Sequence, residues 1–478
     1  MVKPDHPLLS GTFGPVTEEV DLDDFEVIGE IPADLNGVFV RNGPNARYLK
    51  EGRYHWFDGD GMLHATYFDR GRILYRNRYV RTSCFEEESR ANKSLWPGLL
   101  DPPRSDRPDM PEKDTSNTDV TFHAGKLITM WYRSGQPYHV DPHTLETLGP
   151  ATFGGTLKTR VSAHSKVDEA TDEFIFFDYG RKWPYMTYGV VGPEGRVRHS
   201  ISVETPGPSL PHDMGFTRKY SILHDLSLSY DEAALAAGRH KLKYFPERPA
   251  RFAVVPRYGS EREIRWFEAE PCFLYHVINC WDDADEVVMV GCRYRTPTDL
   301  AGRPDGARLA KMIAQLQTDA CVYEWRFNVK TGQTRERLVD DTINSEFPTS
   351  NSALQGVETR YSYNILMRNR ELGAQFGGIA KYDLQSGAFA AYSEGERYWC
   401  SEAPFAPADA ARCEDDGYLL SYVTSLDEHT TELHVYNARD RELGRGPVAR
   451  VRLPMRVPHG FHSTWVSAKL LLKSKASA

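Results

Sequence analysis

Short apolar or alternating runs, each closed by a turn bearing Gly or Asp, recur along the whole chain. That strand-and-turn spacing is the mark of an all-β fold. The runs include Gly37–Arg41, Ile73–Tyr79, Lys126–Met130, Glu173–Phe177, Glu286–Val290, Tyr363–Met367, Tyr418–Val423 and Glu432–Tyr436. Turn residues stand between them at Asp58-Gly-Asp-Gly61, Asp69-Arg-Gly71, His123-Ala-Gly125, Pro193-Glu-Gly195 and Asp415-Asp-Gly417. Several stretches share one plan: apolar strand, turn with Gly, apolar strand, then a polar stretch closing on Val140-Asp141 or Tyr382-Asp383. Sheet units repeated about an axis would make a propeller, and a pair of packed sheets is the alternative the pattern leaves open.

Helical pattern is scarce. The candidates are 231–237, closed by Gly238, and 307–316. Polar stretches at 86–118 and 293–318 read as loops over one face, where function tends to sit. No Gly/Ser-rich linker divides the chain, so residues 1–478 are expected to form a single domain.

Composition narrows the function. The net charge of -9 is spread along the chain with no Lys/Arg block, which argues against nucleic acid as a partner and against a general attraction to anionic membrane. No run approaches the length of a spanning helix, and Met1–Ser10 lacks the apolar core of a secretory signal. Seven scattered cysteines without a CxxC pair fit reduced thiols in a cytoplasm.

The local signatures of common catalysts are missing: no HExxH, GxSxG, P-loop or GxGxxG after a strand. The acid pairs Asp58/Asp60 and Asp415/Asp416 read as turn residues rather than as a glycosidase dyad. Among sixteen histidines, four stand out by setting: His164 in Ser162–Asp168, His212 in Leu210–Phe216, His276 in the strand-like Phe273–Asn279, and His462 in Pro458–Trp465. A buried imidazole needs a partner, and taken singly each is more often a satisfied core histidine than a ligand. The intervals are 48, 64 and 186 residues (212−164, 276−212, 462−276). Ligands so dispersed suit a propeller, whose inner strands can each contribute one side chain.

Several phrases in order carry a resemblance. They are Gly29–Asn45 (GEIPADLNGVFVRNGPN), Trp56–His64 (WFDGDGMLH), Pro137–Asp141 with Thr144–Gly149, Glu414–Tyr418, and Gly460–Trp465 (GFHSTW). Nearly end to end, they resemble the carotenoid cleavage oxygenases, a family that includes bacterial apocarotenoid and stilbene cleavers and an animal retinoid isomerase. The resemblance implies an all-β, seven-bladed β-propeller with a loop and helix dome over an axial Fe(II). It implies His164, His212, His276 and His462 as the iron ligands, and assigns His459 and His64 to the scaffold. Four neutral imidazoles suit Fe(II) and leave its full charge and two octahedral positions for dioxygen and water. The reaction implied is oxidative cleavage of a C=C bond to two carbonyl products, with O2 as the only co-reactant.

The same resemblance places carboxylates behind the ligands, where they orient imidazoles and raise their basicity. Glu346 in Ser345-Glu-Phe-Pro348 and Glu402 in Ser401-Glu-Ala-Pro404 match two such sites. At the third the chain reads Met130-Trp-Tyr-Arg-Ser134, so Tyr132 stands in the glutamate position. A phenol accepts a hydrogen bond without supplying charge, which implies a weaker donor, His212, and altered iron affinity. Stilbene cleavers have a Lys where this chain has Trp131, and a Tyr in the upstream loop where this chain has Trp96 and its neighbours. An apolar tunnel lined by Trp131 and Trp96, taking an apocarotenoid or similar conjugated substrate, is therefore favoured over a stilbene or phenylpropanoid. Trp96, Leu99 and Leu100 are candidates for an apolar lip touching a membrane peripherally. A non-catalytic propeller scaffold, a retinoid-type isomerase and a zinc hydrolase are the other classes, and metal content separates the scaffold from the enzyme.

Overall fold

The computed structural model describes residues 6–50, 52–107, 110, 112–236, 241–368, 374–439 and 443–476, the side chains of 235–236 and 473–476 excepted. The chain forms two compact units, one of Met1–Ala163 with Glu394–Ala478 and the other of His164–Ser393. Among the described residues there are seven antiparallel sheets of four or more strands and one two-stranded sheet.

The second unit holds four of the seven. Each is a four-stranded antiparallel sheet with its strands in chain order, beginning with Lys166–Asp168, Gly215–Phe216, Leu274–Asp283 and Ser345–Thr349, the second interrupted by the hairpin of Leu228–Tyr230 and Leu242–Tyr244. Middle strands such as Glu173–Tyr179 and Gln375–Asp383 are buried on both faces, whereas the last strands Val197–Ser202 and Phe389–Ser393 alternate between exposed and half-buried. A sheet that alternates only on its outermost strand is covered on both sides elsewhere, as a propeller blade is by its neighbours. The core between these sheets is packed by Ile175, Phe177, Tyr188, Phe252, Trp325 and Phe327.

In the first unit the two ends of the chain meet. Gly37–Pro44 pairs with Ser463–Ser467, in register Phe39 to Trp465 and Arg41 to Ser463, and Glu26–Gly29 pairs with Ala449–Leu453. This pairing fixes the backbone of His462: its carbonyl accepts from Asn42 N–H at 2.9 Å and its N–H donates to Thr118 O at 3.2 Å.

The strands expected from the sequence are all present, most lengthened by one to four residues. Lys126–Met130 matches residue for residue. The helix expected at 307–316 spans Gly306–Ala314, capped by Asp305, whose Oδ1 accepts from Arg308 N–H at 3.0 Å. The one expected at 231–237 is observed as Glu232–Ala236, with Ala237 and Gly238 outside the described residues. Two helices were unexpected, Ala468–Ala476 and Ser83–Ala91. Ser83–Ala91 folds where a polar loop from 86 was anticipated, capped by Thr82 Oγ1 and ended by Asn92 in the left-handed region. Its sequence hides its buried face, because one of the buried residues is Glu88, whose charge is met by Lys113 at 2.7 Å. No helix among the described residues is long and apolar enough to cross a membrane.

Candidate metal centre

In the second unit, His164 and His212 lie two or three residues before the first strands of successive sheets, and His276 lies within the next. The three rings converge. Their centroids are 4.6 Å apart for His164 and His212, 4.9 Å for His164 and His276, and 5.1 Å for His212 and His276. Ligand nitrogens of His164 and His276 approach within 4.8 Å of each other. All three side chains are buried.

Local backbone accounts for the convergence. His164 and His212 have φ of 66° and 61°, the left-handed region that residues other than Gly enter at a cost of about 1–3 kcal/mol. His276 sits where the register of its strand slips, between Leu274 and Val277. Such irregularities redirect a side chain that a regular strand would send elsewhere.

His276 Nδ1–H donates to Glu346 Oε2 at 2.5 Å, and the same oxygen accepts from Phe347 N–H. Glu346 lies on the first strand of the last sheet of this unit and is 1% exposed. A carboxylate on Nδ1 fixes the tautomer, so Nε2 presents its lone pair. Tyr275 packs its ring edge-on to His212 at 4.5 Å and Phe347 packs on His276 at 4.9 Å, an apolar wall around the imidazoles.

The first unit repeats this construction. His462 Nδ1–H donates to Glu402 Oε1 at 2.9 Å, and Glu402 Oε2 accepts from the N–H and hydroxyl of Ser463 at 2.6 and 2.9 Å. Both ends of the carboxylate therefore clamp one dipeptide and again leave Nε2 as the ligand atom. Tyr132 packs its ring at 4.5 Å from Phe57, which packs at 4.5 Å on Phe461, the residue before His462. Thr118 serves both segments, its Oγ1 accepting from Tyr132 N–H at 3.1 Å and its carbonyl from His462 N–H. His459 does not share the geometry of its neighbour. It stacks on Trp56 at 5.3 Å and 5° and meets Phe13 and Trp399 edge-on or tilted, a packing role. His64 is held by Tyr75 Oη at 2.7 Å, and burial keeps its pKa well below the ordinary imidazole value.

Trp131 and Trp96, each 3% exposed, line one cavity of the first unit together with Phe57, Tyr54 and Lys50. The apolar lip is not formed as expected: Trp96 lies beneath the guanidinium groups of Arg104 and Arg107, at 5.8 and 5.6 Å, and of the three only Leu100 is well exposed. Cation–π attraction to those two groups, about 0.5–2 kcal/mol, favours that burial.

The donors suit a ferrous ion. They are buried imidazoles, two of them, His276 and His462, braced by carboxylates, and none of the cysteines adds a thiolate to the cluster. Fold and site together define a seven-bladed β-propeller oxygenase of the alkene-cleaving, dioxygenase type. The chain belongs to the retinal pigment epithelial membrane protein (RPE65) family, whose model matches residues 13–467. It is 33% identical to a carotenoid 9,10(9',10')-cleavage dioxygenase 1 of Arabidopsis thaliana, over 97% of this chain and 90% of that protein. It is 30% identical to an isoeugenol monooxygenase of Pseudomonas nitroreducens, over 96% and 98% of the two chains. The crystal structure of the Pseudomonas brassicacearum lignostilbene dioxygenase superimposes with a TM-score of 0.85 at 26% identity, covering 98% of this chain and all of that one.

Proposed function

We propose that His164, His212, His276 and His462 together hold one Fe(II), and that the protein uses O2 to split a C=C bond of an apolar conjugated substrate into two carbonyl products. The observation that carries this reading is the mutual convergence of three buried imidazoles from successive sheets, one of them braced by Glu346. His462 joins them because it carries the same carboxylate brace and matches the family's closing phrase. The two units then act as one oxygenase domain, in keeping with a first unit built from both ends of the chain.

Bound iron supplies the Lewis acidity and redox capacity that bring O2 to react with an electron-rich alkene. The protein's own contributions are positional. Glu346 and Glu402 hold protons on the Nδ1 atoms of His276 and His462, keeping both rings in the tautomer that can ligate. The left-handed backbone at 164 and 212 aims the other two. Tyr275 and Phe347 keep water from the rings they cover. The stoichiometry closes without a cosubstrate, since one O2 provides one oxygen to each carbonyl. Tyr132, in the place of a third glutamate, leaves His212 the weakest donor of the set in this reading.

An apocarotenoid or carotenoid is the favoured substrate class, supported by the carotenoid-cleaving relatives. A phenolic stilbene or phenylpropene is the second reading, because isoeugenol and lignostilbene enzymes are among the relatives. The first is preferred because the two lysines beside Trp131 and Trp96 are already paired, Lys50 with Asp101 at 2.6 Å and Lys113 with Asp60 and Glu88 at 2.6 and 2.7 Å. Seven scattered cysteines without a CxxC pair favour a reducing cytoplasm as the setting.

The test is product analysis under 18O2 after anaerobic iron loading, against a panel of apocarotenoids, stilbenes and phenylpropenes. The expected result is cleavage of an apocarotenoid with label in both carbonyl products. Isomerisation without oxygen uptake, or no turnover of any alkene, would overturn the reading.

A further inference from the structure

We propose that Asp213 is the positioning residue that sets the spacing of the three imidazoles of the second unit. It rests on the reading that these rings share a metal. Asp213 follows His212 directly and is 1% exposed. Its Oδ2 accepts the N–H of Val277, the residue after His276, at 2.7 Å. Its Oδ1 pairs with Lys166 Nζ at 2.8 Å, two residues beyond His164, and also accepts Met214 N–H at 2.6 Å. One carboxylate thus ties together all three histidine-bearing segments, which stand up to 112 residues apart in sequence (276−164).

The geometry of those segments calls for such a tie. His212 has a left-handed φ of 61° in a stretch with little regular structure, and the Asp213 N–H turns back to Pro211 O at 2.8 Å. Val277 N–H lies at the slip in its strand's register, where the neighbouring strand does not supply the regular ladder acceptor. Asp213 satisfies a donor that the irregularity would otherwise bury, and the same bond holds His276 beside His212. Lys166 supplies the opposite charge that offsets part of the cost of burying a carboxylate there. Two residues on, Gly215 lets the segment press against the next sheet, since a Cβ there would strike Cys280 Sγ. Asp213 touches neither a ring nitrogen nor the reacting atoms, so its effect runs through where His164, His212 and His276 stand.

The test is anaerobic Co(II) titration of the full chain, read by competition affinity and by the visible ligand-field bands, in the wild type, Asp213→Ala and Asp213→Asn. Asp213→Ala is expected to bind Co(II) about 10- to 100-fold more weakly, the range for loss of a group that orients ligands, with shifted bands. Asp213→Asn keeps an acceptor for Val277 N–H and loses the ion pair, so it should fall between the two, and it carries the test if the alanine variant does not fold. A purely structural role would lower the melting temperature without moving the bands. Wild-type affinity and unchanged bands in the folded variants would overturn the proposal. A wild type that binds no Co(II) would overturn the metal reading itself, a result distinct from variants that bind as well as the parent.

Discussion

Replacing His276 by alanine is expected to strip iron from the protein and to lower alkene cleavage by about a thousandfold or more, with the fold intact. The scale follows from the several kcal/mol that a metal contributes to a transition state, each 1.4 kcal/mol of which is about tenfold in rate. His276 is chosen because its removal takes away both a ring of the convergent trio and the donor to Glu346 Oε2. Its strand should survive, because Leu274–Asp283 pairs continuously with Glu286–Tyr294 from Asn279 to Asp283 and is packed in the core of its unit. The measurement is iron per chain by elemental analysis beside a circular dichroism spectrum. Iron at the wild-type level in a folded variant would remove His276 from the ligand set.

The second large effect is expected from Glu346→Gln. Glutamine is nearly isosteric and its carbonyl still accepts the Nδ1–H of His276, so the geometry is kept and only the charge is lost. Retention of iron against a chelator should weaken by about 10- to 100-fold. Glu402→Gln should act in the same direction, because Glu402 braces His462 in the same way and is likewise buried. Chelator competition at fixed pH checks both. Two variants that hold iron as firmly as the parent would show that the carboxylates orient the rings without tuning them.

How much of this the sequence discloses depends on the kind of determinant. Strands such as Lys126–Met130 and Glu432–Tyr436 are legible because an apolar run between turn residues has few other uses. The Ser83–Ala91 helix is not, because its buried Glu88 is neutralised by Lys113 from twenty-five residues away, and no local pattern records a distant partner. The four histidines stand out through the phrases around them, not through their spacing. What the sequence leaves hidden is why those phrases lie where they do: each of His164, His212 and His276 falls just before or at the opening of a sheet's first strand, as Glu346 does in the last sheet of that unit. The left-handed turns at 164 and 212 are equally silent in sequence, since neither position is a glycine. Asp213 and Thr118 are equally inconspicuous in sequence. Their roles are bonds to backbone groups of other segments, and an Asp after a His or a Thr before a strand looks ordinary in one dimension.

The central claim is that four imidazoles meet at one ferrous ion, and X-ray absorption at the iron edge of the anaerobically loaded protein tests it most directly. The account predicts one iron per chain, with nitrogen neighbours and the multiple-scattering pattern of about four histidine rings. Substoichiometric iron, or a loaded ion whose spectrum shows sulfur or only oxygen ligands, would contradict it.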